Sequence, residues 1–279
     1  MCSISGIIKM GEQPIPAESL DQLLLALQHR GTDATGIAMM TNGELHIAKD
    51  NESAFRFVTG RMYKEFVREF LTPQTSVVLL HTRAATQGAP ANNQNNHPVY
   101  YNDCAVIHNG WVRNDDEVFK KLGLERRAEV DSDAIRAVVD EYGLTHKGVH
   151  MLSKLEGGIA SAVLSAKEPD KVLLMRNSNP IHIAMNDDFI YFASEKQAIH
   201  IASRPWEQKH NIWTKKVRTD LNWGVFPDAS AWLLSPTKGL LWHQPFVLKG
   251  FKPAVPLATK NDVRATPKME PSAPPAEEH

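Results

Sequence analysis

An α+β layered architecture resting mostly on antiparallel strands is what this 279-residue chain predicts, and three observations carry the prediction. Asn42-Gly43 separates two strand-like runs, residues 35–41 and 44–48, and this dipeptide is the strongest short hairpin signal a sequence offers. From Gly158 onward the pattern turns to strands at residues 159–164, 171–175, 181–185 and 189–192, the last two joined across Asn186-Asp187-Asp188, which reads as an antiparallel meander. Helical signals fall into separated groups. That order disfavours a parallel βαβ repeat, because hairpins need antiparallel pairing and helices must then cover the remaining sheet faces.

The other elements follow in order. Residues 3–10 make the first strand candidate, and Ser19-Leu20-Asp21-Gln22 reads as a capping box opening a helix with Leu20, Leu23, Leu24 and Leu27 on one face, ending at Gly31. Residues 53–71 look helical and stop before Pro73, after which residues 77–80 form a short apolar run of buried-strand type. A strand at residues 104–107 precedes His108-Asn109-Gly110, and Asn-Gly is an everyday turn dipeptide. Ser132 is placed to cap a helix bearing Ile135, Val138, Val139 and Tyr142, closed by Gly143. Residues 194–202 suggest a short helix, and residues 231–234 with 240–243 a further hairpin. After about Phe251, six prolines accumulate with Lys, Glu and Ala. The chain therefore divides into a folded domain over 1–250 and a Pro-rich, disordered tail over 251–279.

Composition narrows the function classes. Hydrophobic residues make up 42% of the chain, enough for a substantial core. Lys+Arg 31 against Asp+Glu 32 leaves a formal net charge of -1, so no global field favours nucleic acid or a membrane surface. No apolar run approaches membrane-spanning length and the N-terminus lacks a signal-peptide pattern, which reads as a cytoplasmic protein. Two cysteines, Cys2 and Cys104, make no disulfide framework.

Cys2 is the first candidate for chemistry. Removal of Met1 would make it the N-terminus, where an α-amino group of reference pKa near 8 lies beside a thiol of reference pKa near 8.5, so one residue supplies nucleophile and proton acceptor. A small buried hydrophobe is the alternative use of such a cysteine. His81-Thr82-Arg83 directly follows a buried strand, and the Arg83 guanidinium there either grips a carboxylate through two parallel hydrogen bonds or makes a surface salt bridge. The Asn109 amide and the Gly110 N–H would make an oxyanion hole if both pointed into a cleft. In Asp131-Ser132-Asp133, acidic and hydroxyl residues are expected as helix caps, although a carboxylate there is also able to hold an ammonium group. His81, His97 and His108 with Cys104 lack the close spacing of a zinc ligand pair, and neither a Walker-type loop nor a Gly-x-Gly-x-x-Gly turn is present. Neither a metal nor any other cofactor is expected.

Taken in order, Cys2-Ser3-Ile4-Ser5-Gly6, Gln28-His29-Arg30-Gly31-Thr32-Asp33-Ala34-Thr35-Gly36, His81-Thr82-Arg83 with Thr86-Gln87-Gly88-Ala89-Pro90, Asn96-His97-Pro98, His108-Asn109-Gly110, Asp131-Ser132-Asp133 and Ala193-Ser194-Glu195 resemble the glutaminase domain of class II glutamine amidotransferases. The resemblance runs from Cys2 to about residue 205. It implies the N-terminal nucleophile hydrolase fold, a four-layer αββα sandwich of two antiparallel sheets. It further implies that Cys2 attacks the side-chain amide of glutamine, that Asn109 and Gly110 hold the oxyanion, that Arg83 binds the substrate α-carboxylate and Asp131 its α-ammonium, and that Thr86 lines the pocket. Many members carry Trp and His where this chain has Ala84 and Gln87, which bears on closure of the site. The amide-rich run at residues 91–96 reads as a polar loop.

Family members carry a second catalytic domain, and the length beyond the strand-rich part leaves no room for one here. The expectation is a stand-alone glutaminase that passes ammonia to a synthase or ligase on another polypeptide, by contact through the tail or through the region of Trp206, Trp213 and Trp223, with homo-oligomerisation left open. A γ-glutamyl amide hydrolase without ammonia transfer, and a non-catalytic binding protein on the same fold, are the alternatives.

Overall fold

The structure, a computed structural model, describes residues 1–210 and 221–250, apart from the side chains of residues 205–210 and 225. The Pro-rich stretch 251–279, Trp213 and the Trp206 side chain lie outside the described residues.

Along the first half run β1 (Ser3–Lys9), α1 (Ala17–Leu27), β2 (Ala34–Thr41), β3 (Glu44–Asp50), α2 (Ala54–Thr59), α3 (Arg61–Phe70), β4 (Thr75–Arg83), β5 (Val99–Tyr101), β6 (Cys104–Val112) and α4 (Asp115–Leu122). The second half holds α5 (Ser132–Tyr142), α6 (His146–Leu152), β7 (Gly157–Ser165), β8 (Val172–Asn177), β9 (His182–Met185), β10 (Phe189–Ala193), α7 (Lys196–His210), β11 (Asn222–Val225), β12 (Ser230–Ser235) and β13 (Gly239–Pro245). Among the described residues these strands form a seven-stranded sheet in the order β11-β9-β10-β1-β4-β2-β3 and a six-stranded sheet in the order β13-β12-β8-β7-β6-β5. Every pairing is antiparallel.

Side-chain alternation along the strands sorts the apolar residues into three cores. On β1, Ile4 and Ile8 point into the space between the sheets with Leu79, Ile107, Ala162 and Leu174, while Ile7 faces the other way with Leu80, Leu23 and Leu24 of α1 and Ile199 of α7. On the far face of the second sheet, Val106, Val163 and Leu173 pack beneath Ile135 and Val138 of α5, Val149 of α6 and Phe119 of α4. Helices, sheet, sheet and helices are thus stacked in four layers, as the family resemblance implies.

Several local expectations are corrected. Ser19 is no cap: α1 begins at Ala17 behind Pro16, and the Ser19 hydroxyl donates to the Ala202 carbonyl, 2.7 Å away, tying α1 to α7. The helical run at residues 53–71 is broken at Gly60, whose extended backbone separates α2 from α3. The expected four-stranded meander is two hairpins in different sheets, since β8 pairs in one sheet and β9 in the other, with the chain crossing between them at residues 178–181. Asn42 and Gly43 do form the tight β2–β3 turn, both with positive φ, 53° and 81°.

Candidate active site

The first strand begins one residue after Cys2, and its neighbour β4 ends at Arg83, because β1 and β4 pair with Ser3 opposite Thr82. The Ser3 and Thr82 hydroxyls, 2.6 Å apart, lock that end of the register. Arg30 reaches across from the turn after α1, donating through Nε to the Cys2 carbonyl at 3.2 Å and through a terminal nitrogen to Glu195 at 2.9 Å. Gly31 lets that turn lie against β4: a Cβ there would sit 2.3 Å from the Arg83 carbonyl carbon. Residues from three distant stretches are in this way drawn around the first residues of the chain.

Cys2, Arg83, Thr86, Gly110 and Asp131, five of the six residues singled out in the sequence, line one small open cleft. Asn109 does not line it; it lies buried next to Gly110 within β6. The expectation of a turn at Asn109-Gly110 is corrected, since β6 runs on to Val112 and both residues pair with β7, opposite Ala160 and Ile159. Strand pairing overrides the local turn preference of Asn-Gly. Ala84, Gln87, His97, His108, Val130 and Ser132 complete the wall.

The Cys2 thiol donates to the Ala84 carbonyl at 3.4 Å. Burial pushes its pKa up, opposed by the positive charges of the N-terminus and Arg83. Such a thiol is protonated at neutral pH and needs a base to become a nucleophile. Arg83 is buried, and its guanidinium donates to Asn96 Oδ1 at 2.7 Å and to the carbonyls of Gln87 and Gly88 at 2.6 and 2.7 Å. The amide-rich run is an exposed polar loop over residues 91–94 and a built support at its end: Asn95 and Asn96 are fully buried, and Lys49 clamps the Asn96 and Pro98 carbonyls at 2.7 and 2.8 Å. Burial, with Arg83 nearby, lowers the Lys49 pKa to about 8.

A hydroxyl at the start of α5 organises the back of the cleft. Ser132 is the first residue of α5 rather than its cap, and its Oγ lies 2.8 Å from His97 Nε2, 2.8 Å from His108 Nδ1 and 3.2 Å from Asp131 Oδ1. These three contacts are compatible when Ser132 donates to the carboxylate and both histidines donate N–H to its two lone pairs, which leaves His97 Nδ1 and His108 Nε2 buried without a hydrogen-bond partner among the described residues. Asp131 also accepts the Val112 N–H at 2.6 Å. His81 stacks on His97 with centroids 4.1 Å apart and donates from Nε2 to the His108 carbonyl at 3.0 Å. These histidines stood in the sequence motifs, but the signal for their joint role is long-range: nothing local joins residues 81, 97, 108 and 132. Among the described residues no group of three or more His, Cys, Asp or Glu side chains is arranged to hold a metal ion.

Burial lowers the pKa of all three histidines, that of His81 to about 3. In the unfolded chain a histidine takes its proton near pH 6.5, so the native state binds fewer protons below that pH, and stability, full above about 6.5, is lost as pH falls. His81 alone accounts for about 2 kcal/mol between pH 6.5 and 5. Urea unfolding at pH 7 and pH 5 measures this, and equal stabilities at the two values would contradict buried neutral imidazoles.

Comparison with known proteins agrees with this geometry. Residues 81–201 match the family model of the glutamine amidotransferase domain. The chain is 31% identical over 208 residues to a glutamine–fructose-6-phosphate aminotransferase (isomerizing) of Clostridium acetobutylicum, an alignment covering 71% of this chain and 32% of that protein. The same enzyme of Aquifex aeolicus is 27% identical over 207 residues, covering 71% of this chain and 33% of that protein. The chain spans about a third of the length of the curated relatives it matches. Among solved structures, the glutamine phosphoribosylpyrophosphate amidotransferase from B. subtilis, complexed with ADP and GMP, superposes with a TM-score of 0.64 at 18% identity, over 89% of this chain and 50% of that one. A structure described as the allosteric regulatory enzyme of purine biosynthesis gives 0.66 at 19% identity, with the same coverage. At such identities these two likenesses speak for the fold. The order of motifs, the four layers and the matched sequence together place a class II glutamine amidotransferase domain with the N-terminal nucleophile hydrolase fold in this chain.

Proposed function

We propose that this domain hydrolyses the side-chain amide of glutamine, releasing glutamate and ammonia, with Cys2 as nucleophile once Met1 has been removed. The observation that carries the reading is the convergence of Cys2, Arg83, Gly110 and Asp131 on a single cleft, which matches the needs of an amino acid substrate: a nucleophile, a cation for the carboxylate, an oxyanion donor and an anion for the ammonium group. The freed α-amine of Cys2 takes the thiol proton as Sγ bonds to the amide carbon. The negative charge moves to the amide oxygen, where the Gly110 N–H stabilises it; Asn109, buried beside Gly110 and off the cleft wall, is the second proposed donor and has to turn its amide toward the cleft to act. Collapse breaks the C–N bond, the leaving nitrogen takes the proton held by the α-amine, and ammonia departs. Water then attacks the γ-glutamyl thioester, its proton passing to the α-amine, and the C–S bond breaks to give glutamate and the thiol.

Arg83 is the proposed carboxylate binder. Three of its five N–H groups are already committed to Asn96, Gln87 and Gly88, which fixes the plane of the guanidinium. Lysine has neither the plane nor the number of donors. Arg83→Lys is expected to raise the KM for glutamine about 10- to 100-fold, the scale of a lost charge-assisted hydrogen bond, with a smaller change in kcat. An unchanged KM would remove Arg83 from the role.

The relatives named above are aminotransferases, which supports delivery of ammonia to an acceptor enzyme; we place that acceptor on a separate polypeptide and the protein in the cytoplasm. Among the described residues no helix is long and apolar enough to cross a membrane. The test is glutamate release by the mature protein from glutamine and, side by side, from γ-glutamyl alkylamides. Faster turnover of glutamine is the expected result. Faster turnover of the alkylamides, which the small Ala84 in the cleft wall would admit, supports a γ-glutamyl hydrolase instead.

A further inference from the structure

A side chain outside all of the motifs above holds the peptide that carries the Gly110 N–H. Asn179 lies in the crossing at residues 178–181, where the chain leaves one sheet for the other, and its Nδ2 donates to the Asn109 carbonyl at 3.1 Å. A carbonyl oxygen only accepts, so this contact also fixes which end of the Asn179 amide faces it. The Asn109 C=O and the Gly110 N–H belong to the same planar trans peptide and point in opposite directions. A bond that holds the oxygen on the Asn179 side therefore holds the N–H on the other. Gly110 has φ of 151°, a conformation open chiefly to glycine, and a Cβ there would meet Gly158 O at 1.9 Å and Asn179 Nδ2 at 2.8 Å. At such a residue the adjoining peptide plane has little steric resistance to rotation, so its orientation rests on the pairing of β6 with β7, opposite Ala160 and Ile159, together with the Asn179 contact.

The crossing itself is firmly held. Ser178, at φ of 73°, donates its N–H to Asp228 Oδ1 at 2.7 Å, and Asn179 donates its own to the Asn177 carbonyl at 3.1 Å. Asp228 accepts the Ala229 N–H through the same oxygen at 2.9 Å, which anchors the turn to the strand end of β12. Asn179 is thus presented from a rigid turn rather than from a mobile loop.

We propose that Asn179 is a positioning residue for glutamine hydrolysis, clamping the Asn109–Gly110 peptide so that the Gly110 N–H stays aimed at the developing oxyanion. The clamp rests on the reading of Gly110 as an oxyanion donor given above. It acts in the transition state, so its loss reduces kcat and leaves ground-state binding of glutamine alone.

The test compares mature wild type, Asn179→Ala and Asn179→Asp, with Cys2→Ala as the control for the hydrolase reading. Asn179→Ala should lower kcat about 10- to 100-fold, less than outright loss of an oxyanion donor. Asn179→Asp, of nearly equal size but with only acceptors facing the carbonyl, should be slower still, and KM should stay within about threefold in both. Melting temperatures close to wild type and full labelling of Cys2 by 6-diazo-5-oxo-norleucine would show the fold and pocket intact. The Gly110 amide resonance in ¹H–¹⁵N spectra should move in both variants. Wild-type kcat in both variants, or an unmoved Gly110 resonance, overturns the clamp. If wild type itself releases no glutamate, the hydrolase reading has failed, and the Gly110 resonance alone decides whether Asn179 sets the peptide.

Discussion

Cys2→Ala is expected to reduce glutamine hydrolysis by about 10⁴-fold or more, the scale on which removal of an enzyme nucleophile acts. Folding should barely change. The Cys2 side chain sits at the edge of the fold, only partly buried, and its sulfur makes one weak hydrogen bond to the Ala84 carbonyl. Cys2→Ser keeps that hydrogen bond and the shape, yet a hydroxyl is far harder to deprotonate than a thiol, so it should fall close to Cys2→Ala. The pair separates chemistry from packing: a cysteine serving as a small hydrophobe would be replaced by either residue with no loss of turnover. Glutamate release per mole of enzyme, measured with both variants at equal melting temperature, makes the comparison. Activity within tenfold of wild type in Cys2→Ala would remove the nucleophile from the account.

Gly110→Ala should damage both stability and turnover. The new Cβ would lie 1.9 Å from Gly158 O, and that atom is backbone of β7, paired along its length with β6 and unable to swing aside. Holding an alanine at φ of 151° adds about 1 to 3 kcal/mol of backbone strain. For a domain of this size a melting-temperature drop of roughly 5 °C or more follows. Any relief moves the Gly110 peptide, so the proposed oxyanion donor leaves its place, and kcat should fall about 100- to 1,000-fold. Asn109→Ala is the companion measurement, because it removes a proposed donor without adding a Cβ at the crowded position. A kcat loss in Gly110→Ala with none in Asn109→Ala would assign the oxyanion to backbone alone.

What the sequence disclosed and what it withheld follow from the range of the interactions. The β2–β3 hairpin was legible because Asn42-Gly43 encodes its own turn, and the α5 boundary because Gly143 ends it with positive φ. Five cleft residues were legible because they sit in short motifs at element ends, where neighbours along the chain carry the signal. Assignment of β8 and β9 to different sheets was not, since each hairpin pattern is local and nothing within it names the sheet. Asn109-Gly110 misled for the opposite reason: its turn preference is real, but pairing with β7 outweighs it. The break at Gly60 was hidden inside a run with helical periodicity on both sides. Ser132 was marked in the sequence only as a helix cap, and Asn179 not at all. The two histidines that meet Ser132 and the carbonyl that Asn179 holds lie 24 to 70 residues away, and only the folded sheets bring them within hydrogen-bond distance.

Whether Cys2, freed of Met1, attacks a γ-amide in a glutamine-shaped pocket is decided by the intact mass of the purified protein before and after 6-diazo-5-oxo-norleucine. The expected mass lacks Met1 and gains one adduct per chain, absent in Cys2→Ala and prevented by excess glutamine. A chain that keeps Met1, or a mature chain labelled equally well in Cys2→Ala, would contradict that role for Cys2.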